Sequence, residues 1–96
     1  VAAGLFYRAC DPGTARWAAA RLRPQVWATS REITPLERWP DCETASIVCA
    51  EDEVLSPDWS RRIARDVLGI EPVELPGGHS PVLSHPAELA AAPLLR

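Results

Sequence analysis

Two polar loops of this sequence carry the residue types that acid–base catalysis uses. Glu51-Asp52-Glu53 follows the apolar run 44–50, and Gly77-Gly78-His79 follows the run 70–75. A histidine that acts as a general base needs a carboxylate to accept its Nδ1 proton and to stabilise the imidazolium. Asp52 could supply that carboxylate, and the two glycines let the backbone turn sharply beside the imidazole of His79.

The elements around these loops are predicted to bring them together. The small and β-branched residues of 44–50 predict a buried strand, and 70–75 predicts a second one, with Pro72 suited to its beginning or to an edge. Ser56-Pro57 predicts the start of a helix that ends near Gly69. Its apolar face is predicted to hold Trp59, Ile63, Val67 and Leu68, with Arg61, Arg62 and Arg65 pointing away. This order predicts a right-handed βαβ unit with parallel strands, whose carboxyl ends carry both loops.

The flanking segments predict a unit that is not complete. A short helix is expected at about 13–22 after the capping residue Asp11, and a closing helix at 86–95 that Pro93 frays. Residues 24–43 predict a connector, with Trp27 and Trp39 as bulky anchors, lying on some other part of the protein. Two parallel strands with two helices cannot cover both faces of a sheet, so more structure is expected around them.

Two motifs in order resemble a known family. Asp52-Glu53-Val54-Leu55-Ser56-Pro57 after one strand and Gly77-Gly78-His79 after the next resemble the C-terminal end of α/β-hydrolases, closest to plant-type methylesterases and hydroxynitrile lyases. The usable resemblance covers about 45–92, and 1–24 resembles the end of the cap above the active site. The resemblance implies Asp52 as the triad acid and His79 as the triad base. The lyases have a catalytic lysine where Ser80 stands here, so an esterase or related hydrolase is implied.

The expected fold class is therefore α/β, as a C-terminal fragment of an α/β-hydrolase. It would comprise the last two parallel strands with their flanking helices and the end of a helical cap. Residues 1–43 are expected to form the end of the cap and the connector, and 44–96 the strand-helix-strand-helix part of a single incomplete domain. The absence of methionine, even at position 1, points to a piece of a longer chain or to an alternative start.

The nucleophile of such an enzyme is not evident in the sequence. It should lie in a G-x-S-x-G turn followed by a backbone oxyanion donor. The nearest string, 78–82, lacks the final glycine and places Ser80 directly after the histidine, with Pro81 unable to donate an N–H. The chain is thus expected to contribute an acid and a base for hydrolysis of a small-molecule ester, and to be inactive alone.

Other residues have plainer interpretations. Glu51 and Glu53 are expected to be solvated, His85 to be structural at a helix start, and Cys49 to be an inert buried thiol. Trp59 is expected in the core. Phe6, Tyr7 and Trp17 could line an acyl or alcohol pocket or could simply pack.

Composition excludes several other functions. With 96 residues, 47% of them hydrophobic, and a net charge of −3, the chain fits one small globular domain. Its ten basic residues are all arginine and are scattered, so nucleic acid is not expected as a partner, and no apolar segment is long enough for a membrane span. No cofactor or metal is expected, and the oligomeric state stays open.

Three cysteines without CxxC spacing predict neither a disulfide framework nor a zinc site and suit a cytoplasmic protein. Two other functions compete with the hydrolase. The chain could be a truncated, non-catalytic remnant or an interaction module with an exposed sheet edge. A redox or metal protein using Cys10, Cys42, Cys49 and the two histidines has no ligand spacing behind it.

Overall fold

The computed structural model describes residues 2–93 of the chain, apart from the side chains of residues 2 and 3. The elements, in order, are α1 (Ala2–Phe6), α2 (Pro12–Ala19), α3 (Ala28–Arg31), β1 (Ile47–Cys49), α4 (Pro57–Asp66), β2 (Val73–Leu75), α5 (Pro81–Ser84) and α6 (Pro86–Ala91).

The strands β1 and β2 are hydrogen-bonded neighbours and run parallel, as the βαβ pattern predicts. Val48 pairs with Glu74 at the middle of the register. Each strand has only three residues, fewer than the runs 44–50 and 70–75 predict. Pro72 and Pro76 stand directly before and after β2, and the two strands run in the same direction. Both loops therefore leave the same end of the sheet.

Helix α4 begins where the sequence predicts but turns a different face inward. The Ser56 hydroxyl accepts a hydrogen bond from the Trp59 N–H at 3.3 Å, and Pro57 occupies the first turn. Ala64 is fully buried, whereas Trp59 is 44% exposed and Val67 is also exposed. The prediction of Trp59 in the core is wrong. The small side chain of Ala64 lets the helix approach the sheet closely, and Trp59 lies about 140° away around the helix axis.

Arg61 does not point away from the sheet as predicted. Its guanidinium donates hydrogen bonds to the Glu74 carboxylate on β2, at 3.0 Å from Nε and 2.8 Å from Nη2. It also contacts Asp58 at 2.8 Å, and Arg65 pairs with Glu71. Arg61 stands on the flank of the buried face, so its long side chain can reach across to the strand and connect α4 to β2.

The N-terminal segments contain more helix than the sequence predicts. Asp11 caps α2 by accepting the Thr14 N–H at 3.0 Å, and α2 starts one residue earlier and ends three residues earlier than the expected 13–22. The connector 24–43 includes the single-turn helix α3. Trp27 and Trp39 do not anchor the connector to the rest of the described residues as expected, since Trp27 is 70% exposed and Trp39 is also exposed.

The C-terminal segment contains two short helices instead of one. Pro81 and Pro86 each stand in the first turn of a helix, α5 and α6, which favours two separate starts. Helix α6 ends at Ala91, before Pro93. The expected extension to residue 95 involves Leu94 and Leu95, which lie outside the described residues.

The buried core is small for a chain of this length. Its apolar members are Ala15, Ala18, Val48, Cys49, Ala64 and Leu75. The larger apolar side chains are mostly exposed: Leu5, Trp17, Leu22, Val26, Trp27, Ile33, Leu36, Trp39, Leu55, Trp59, Val67 and Val82. None of the helices within residues 2–93 is long and apolar enough to cross a membrane.

Candidate active site

The carboxylate of Asp52 is held in place by its own loop. Its Oδ1 accepts hydrogen bonds from the Val54 N–H at 2.8 Å and the Leu55 N–H at 3.1 Å. This arrangement is an Asx turn, in which a short acidic side chain fixes the backbone that follows it. The side chain is only 14% exposed, so the carboxylate has one defined orientation at the end of β1.

The structure brings His79 into contact with this carboxylate. His79 Nδ1 lies 3.1 Å from Asp52 Oδ2 and 3.3 Å from Oδ1. The His79 side chain is 30% exposed, which leaves part of the ring accessible. Since the two residues are 27 positions apart in sequence, their contact depends on the parallel pairing of β1 and β2.

The ionisation of Asp52 determines which ring nitrogen of His79 carries the proton. Burial raises the pKa of the Asp52 carboxyl, but hydrogen bonds from the Leu55 N–H, from His79 and from the Val54 N–H outweigh it and hold the pKa below its ordinary value. Asp52 is therefore ionised at neutral pH and can only accept hydrogen bonds. His79 Nδ1 must then donate, and Nε2 of the neutral ring is left as the basic nitrogen.

The first glycine of the turn before His79 is required by geometry. Gly77 has φ 97°, in the left-handed region, and a Cβ placed there would lie 2.7 Å from His85 Cε1 and would overlap Nδ1 of the same ring. His85 thus packs directly against the turn that leads to His79. Its ring is also 2.8 Å from the Ser84 hydroxyl and is half-buried, whereas the sequence predicts an exposed residue at a helix start.

Glu51 and Glu53, the acidic neighbours of Asp52, are exposed as expected, but each also has a partner. The Glu51 carboxylate accepts the Gly77 N–H at 2.5 Å, and Glu53 pairs with Arg8. The Glu51 contact crosses from the acid loop to the histidine loop. Sequence reasoning missed it because its signal is indirect: the Gly77 N–H faces β1 beyond the last paired residues and takes a side-chain acceptor there.

Only part of the expected aromatic pocket lies at this site. The Phe6 ring lies 5.6 Å from the His79 ring, and Tyr7 meets Phe6 edge-on at 6.2 Å. Trp17 instead packs under the Arg21 guanidinium at 4.1 Å and is half exposed. Phe6 therefore covers one side of the imidazole, and Trp17 serves as surface packing on α2.

An apolar depression adjoins the pair. Its volume is about 310 Å³, and its walls include Asp52 and His79 together with strand β1 and the apolar side chains of Leu55, Val82 and Leu89. Within residues 2–93, no hydrogen bond joins a serine hydroxyl to His79. Ser80 is the N-cap residue of α5, immediately before Pro81.

The three cysteines are all free thiols. Burial, followed by the charges of Asp52 and Glu51, raises the pKa of the Cys49 thiol, which keeps it protonated and unreactive. The part of the chain that the structure describes contains no group of three or more His, Cys, Asp or Glu side chains able to hold a metal ion. The redox and metal interpretation gains no geometric support.

Parallel strands that deliver an acid and a histidine to one edge define the chain as an α/β protein with an acid–imidazole pair at its strand ends. A sequence model described as the alpha/beta hydrolase family matches residues 1–92. The chain therefore belongs to the alpha/beta hydrolase family. Neither the curated proteins nor the solved structures contain a significant match to it.

The lowered pKa of Asp52 predicts how stability depends on pH. The folded-state value lies below the unfolded one, so this carboxylate stabilises the fold fully above the unfolded pKa, near 4, and the contribution is lost as pH falls through the folded pKa. Urea unfolding of the wild type and Asp52→Asn should therefore differ at pH 6 and converge as pH falls through the folded-state pKa. A constant difference across that range would contradict the assignment, and Asp66→Asn on the exposed side of α4 serves as the control.

Proposed function

We propose that this chain supplies the acid and the base of a serine hydrolase that cleaves a small carboxylic ester or related acyl compound. Asp52 orients His79 and stabilises its charged form, and His79 Nε2 takes the proton of the attacking hydroxyl. The observation that carries the proposal is the Nδ1–carboxylate contact of 3.1 Å at the ends of two parallel strands. Membership of the alpha/beta hydrolase family supports the same chemistry.

We propose that the nucleophilic serine lies on a segment outside these 96 residues. The hydrolase chemistry needs a serine at a sharp strand-to-helix turn, with an N–H after it to hold the oxyanion. Ser80 fits poorly, because Pro81 follows it and has no N–H. Ser84 fits poorly too, since its hydroxyl contacts His85 and not His79.

An ester is favoured over a cyanohydrin because of the residue after the histidine. Hydroxynitrile lyases of the resembled subgroup use a lysine there, and this chain has Ser80. The apolar depression beside the pair suits the hydrocarbon part of an acyl or alcohol group. Residues 1–43 would then form the end of the cap and the connector, with Phe6 covering His79, and 44–96 the C-terminal part of the core.

The test compares the chain alone with the chain joined to its upstream coding sequence. The 96 residues alone should hydrolyse p-nitrophenyl acetate no faster than buffer, because removal of the nucleophile leaves only residual rate enhancement. The extended polypeptide, with an in-frame G-x-S-x-G, should show turnover that His79→Ala abolishes. Hydrolysis by the chain alone that His79→Ala removes would contradict the external nucleophile.

The second candidate is a non-catalytic remnant or interaction module, and the exposed apolar residues favour it. Ile33 is 93% exposed and Trp27 is 70% exposed, on a connector with little else to bury. Such side chains commonly mark surfaces that another polypeptide covers. A stop codon upstream of Val1, together with concentration-dependent self-association in sedimentation, would favour this candidate. A monomer that gains activity with its upstream segment would favour the hydrolase.

A further inference from the structure

We propose that Glu51 is a positioning residue that ties the acid loop to the histidine loop and so keeps His79 Nδ1 within reach of Asp52. The catalytic importance of Glu51 rests on the proposed hydrolase function. The link between the two loops rests only on the hydrogen bonds between Glu51 and Gly77. Glu51 immediately precedes Asp52, and its bonding partner Gly77 stands two residues before His79.

Two hydrogen bonds join Glu51 and Gly77 in opposite directions. The Glu51 N–H donates to the Gly77 carbonyl at 3.0 Å, and the Gly77 N–H donates to Glu51 Oε2 at 2.5 Å. The first bond uses only backbone atoms and survives any substitution except proline. The second depends on the length and acceptor of the Glu51 side chain. The Glu51 side chain thus adds a second hydrogen bond between the acid loop and the histidine loop.

The strand pairing leaves a gap that this carboxylate fills. The Ala50 N–H donates to the Leu75 carbonyl at 2.9 Å, which continues the ladder beyond β1. The next N–H that faces β1 is that of Gly77, which bonds the Glu51 carboxylate where the Gly77 backbone turns with φ 97°. Gly77 is buried, and a buried N–H without an acceptor is unfavourable. A carboxylate is a strong acceptor for that N–H.

The contact between Asp52 and His79 is sensitive to small movements of the histidine loop. Its 3.1 Å separation is near the upper end of the usual range of about 2.7–3.2 Å for N–H···O hydrogen bonds. Asp52 is already fixed by the N–H groups of Val54 and Leu55, so the remaining freedom is on the His79 side. The Glu51 contact restricts that side.

Three Glu51 variants separate reach from charge. Glu51→Asp keeps the charge but is one methylene too short, Glu51→Gln keeps the length and an acceptor oxygen but loses the charge, and Glu51→Ala loses both. Glu53→Gln removes a neighbouring charge from the same loop and is the matched control. The readout is the solvent-exchange rate of the His79 Nδ1 proton, measured by NMR on the 96-residue chain.

Positioning predicts that exchange of the Nδ1 proton becomes about tenfold faster in Glu51→Asp and Glu51→Ala, as expected for losing one side-chain hydrogen bond. Glu51→Gln and Glu53→Gln should exchange at the wild-type rate. If the alanine variant loses the amide dispersion of α4, the aspartate and glutamine variants decide alone, because each retains a polar side chain.

Exchange at the wild-type rate in Glu51→Asp would overturn the proposal, because the reach of the side chain would then have no role. Fast exchange in Glu51→Gln would also overturn it, because the charge of Glu51 would then account for the effect. The readout is at the imidazole and needs no nucleophile. A polypeptide with intact Glu51 effects but no esterase turnover would therefore contradict the hydrolase function and leave the positioning role standing. Esterase turnover with no effect of the Glu51 variants on exchange would contradict the positioning role and leave the hydrolase function standing.

Discussion

If the proposed serine hydrolase forms from this chain and an upstream segment, replacement of His79 by alanine is expected to lower its kcat by a factor on the order of 10⁶. The variant loses the Nε2 that is proposed to take the proton of the nucleophile, and no other side chain within residues 4–93 is hydrogen-bonded to Asp52. The oxyanion hole and substrate binding still provide residual catalysis. Steady-state kinetics with p-nitrophenyl acetate measure the loss.

Asp52→Asn should be less severe and should act mainly on kcat. The amide cannot accept the Nδ1 proton as the carboxylate does, so the ring loses its productive tautomer at a cost on the order of 10⁴ in kcat, with KM little changed. Asp66→Asn is the control because Asp66 is an exposed aspartate on α4. A His79→Ala variant that retains a tenth of the wild-type activity would contradict the assignment of His79 as the general base.

Gly77→Ala is expected to destabilise the fold more than any other glycine substitution in residues 2–93. Its Cβ would stand 2.7 Å from His85 Cε1 and closer still to Nδ1, and its φ of 97° is unfavourable for an L residue. The left-handed backbone costs about 1–2 kcal/mol and the overpacking about 1–3 kcal/mol. Urea unfolding should show a combined loss of about 2–5 kcal/mol.

Two other glycines provide a graded control for that measurement. Gly69 has φ 69° but open space where a Cβ would lie, so alanine there should cost only the backbone part. Gly4 has open space and lies in α1, where alanine should be neutral or stabilising. His85→Ala combined with Gly77→Ala should recover part of the loss by removing the clash. Equal effects at all three glycines would contradict the close approach of His85.

Local signals in the sequence are enough to predict the elements that position the pair. Ser56-Pro57 marks the start of α4, and Pro72 marks the start of β2, because a cap and a missing N–H act within a few residues. The parallel order then follows from the strand-helix-strand pattern, which brings the Asp52 and His79 loops to one edge. The contact between them can be anticipated from topology alone.

The features that the sequence does not reveal depend on contacts between distant segments. Trp59 is expected in the core because large apolar residues dominate a helical pattern, but the close approach of α4 to the sheet depends on the small side chain of Ala64. The Glu51 bond to Gly77 joins residues 26 positions apart and follows from a gap in a ladder that only exists once the strands pair. Residue type alone makes Glu51 an ordinary surface acid.

We expect the Asp52 carboxylate to fix the proton of His79 on Nδ1 and to leave Nε2 free as a base. The ¹⁵N chemical shifts of the His79 ring, recorded on the 96-residue chain with the ring in its neutral form, report this tautomer directly. In the wild type we expect the proton on Nδ1 and none on Nε2. In Asp52→Asn this preference for the Nδ1 tautomer should be lost. A wild-type ring that carries its proton on Nε2, or a preference that Asp52→Asn leaves unchanged, would contradict it.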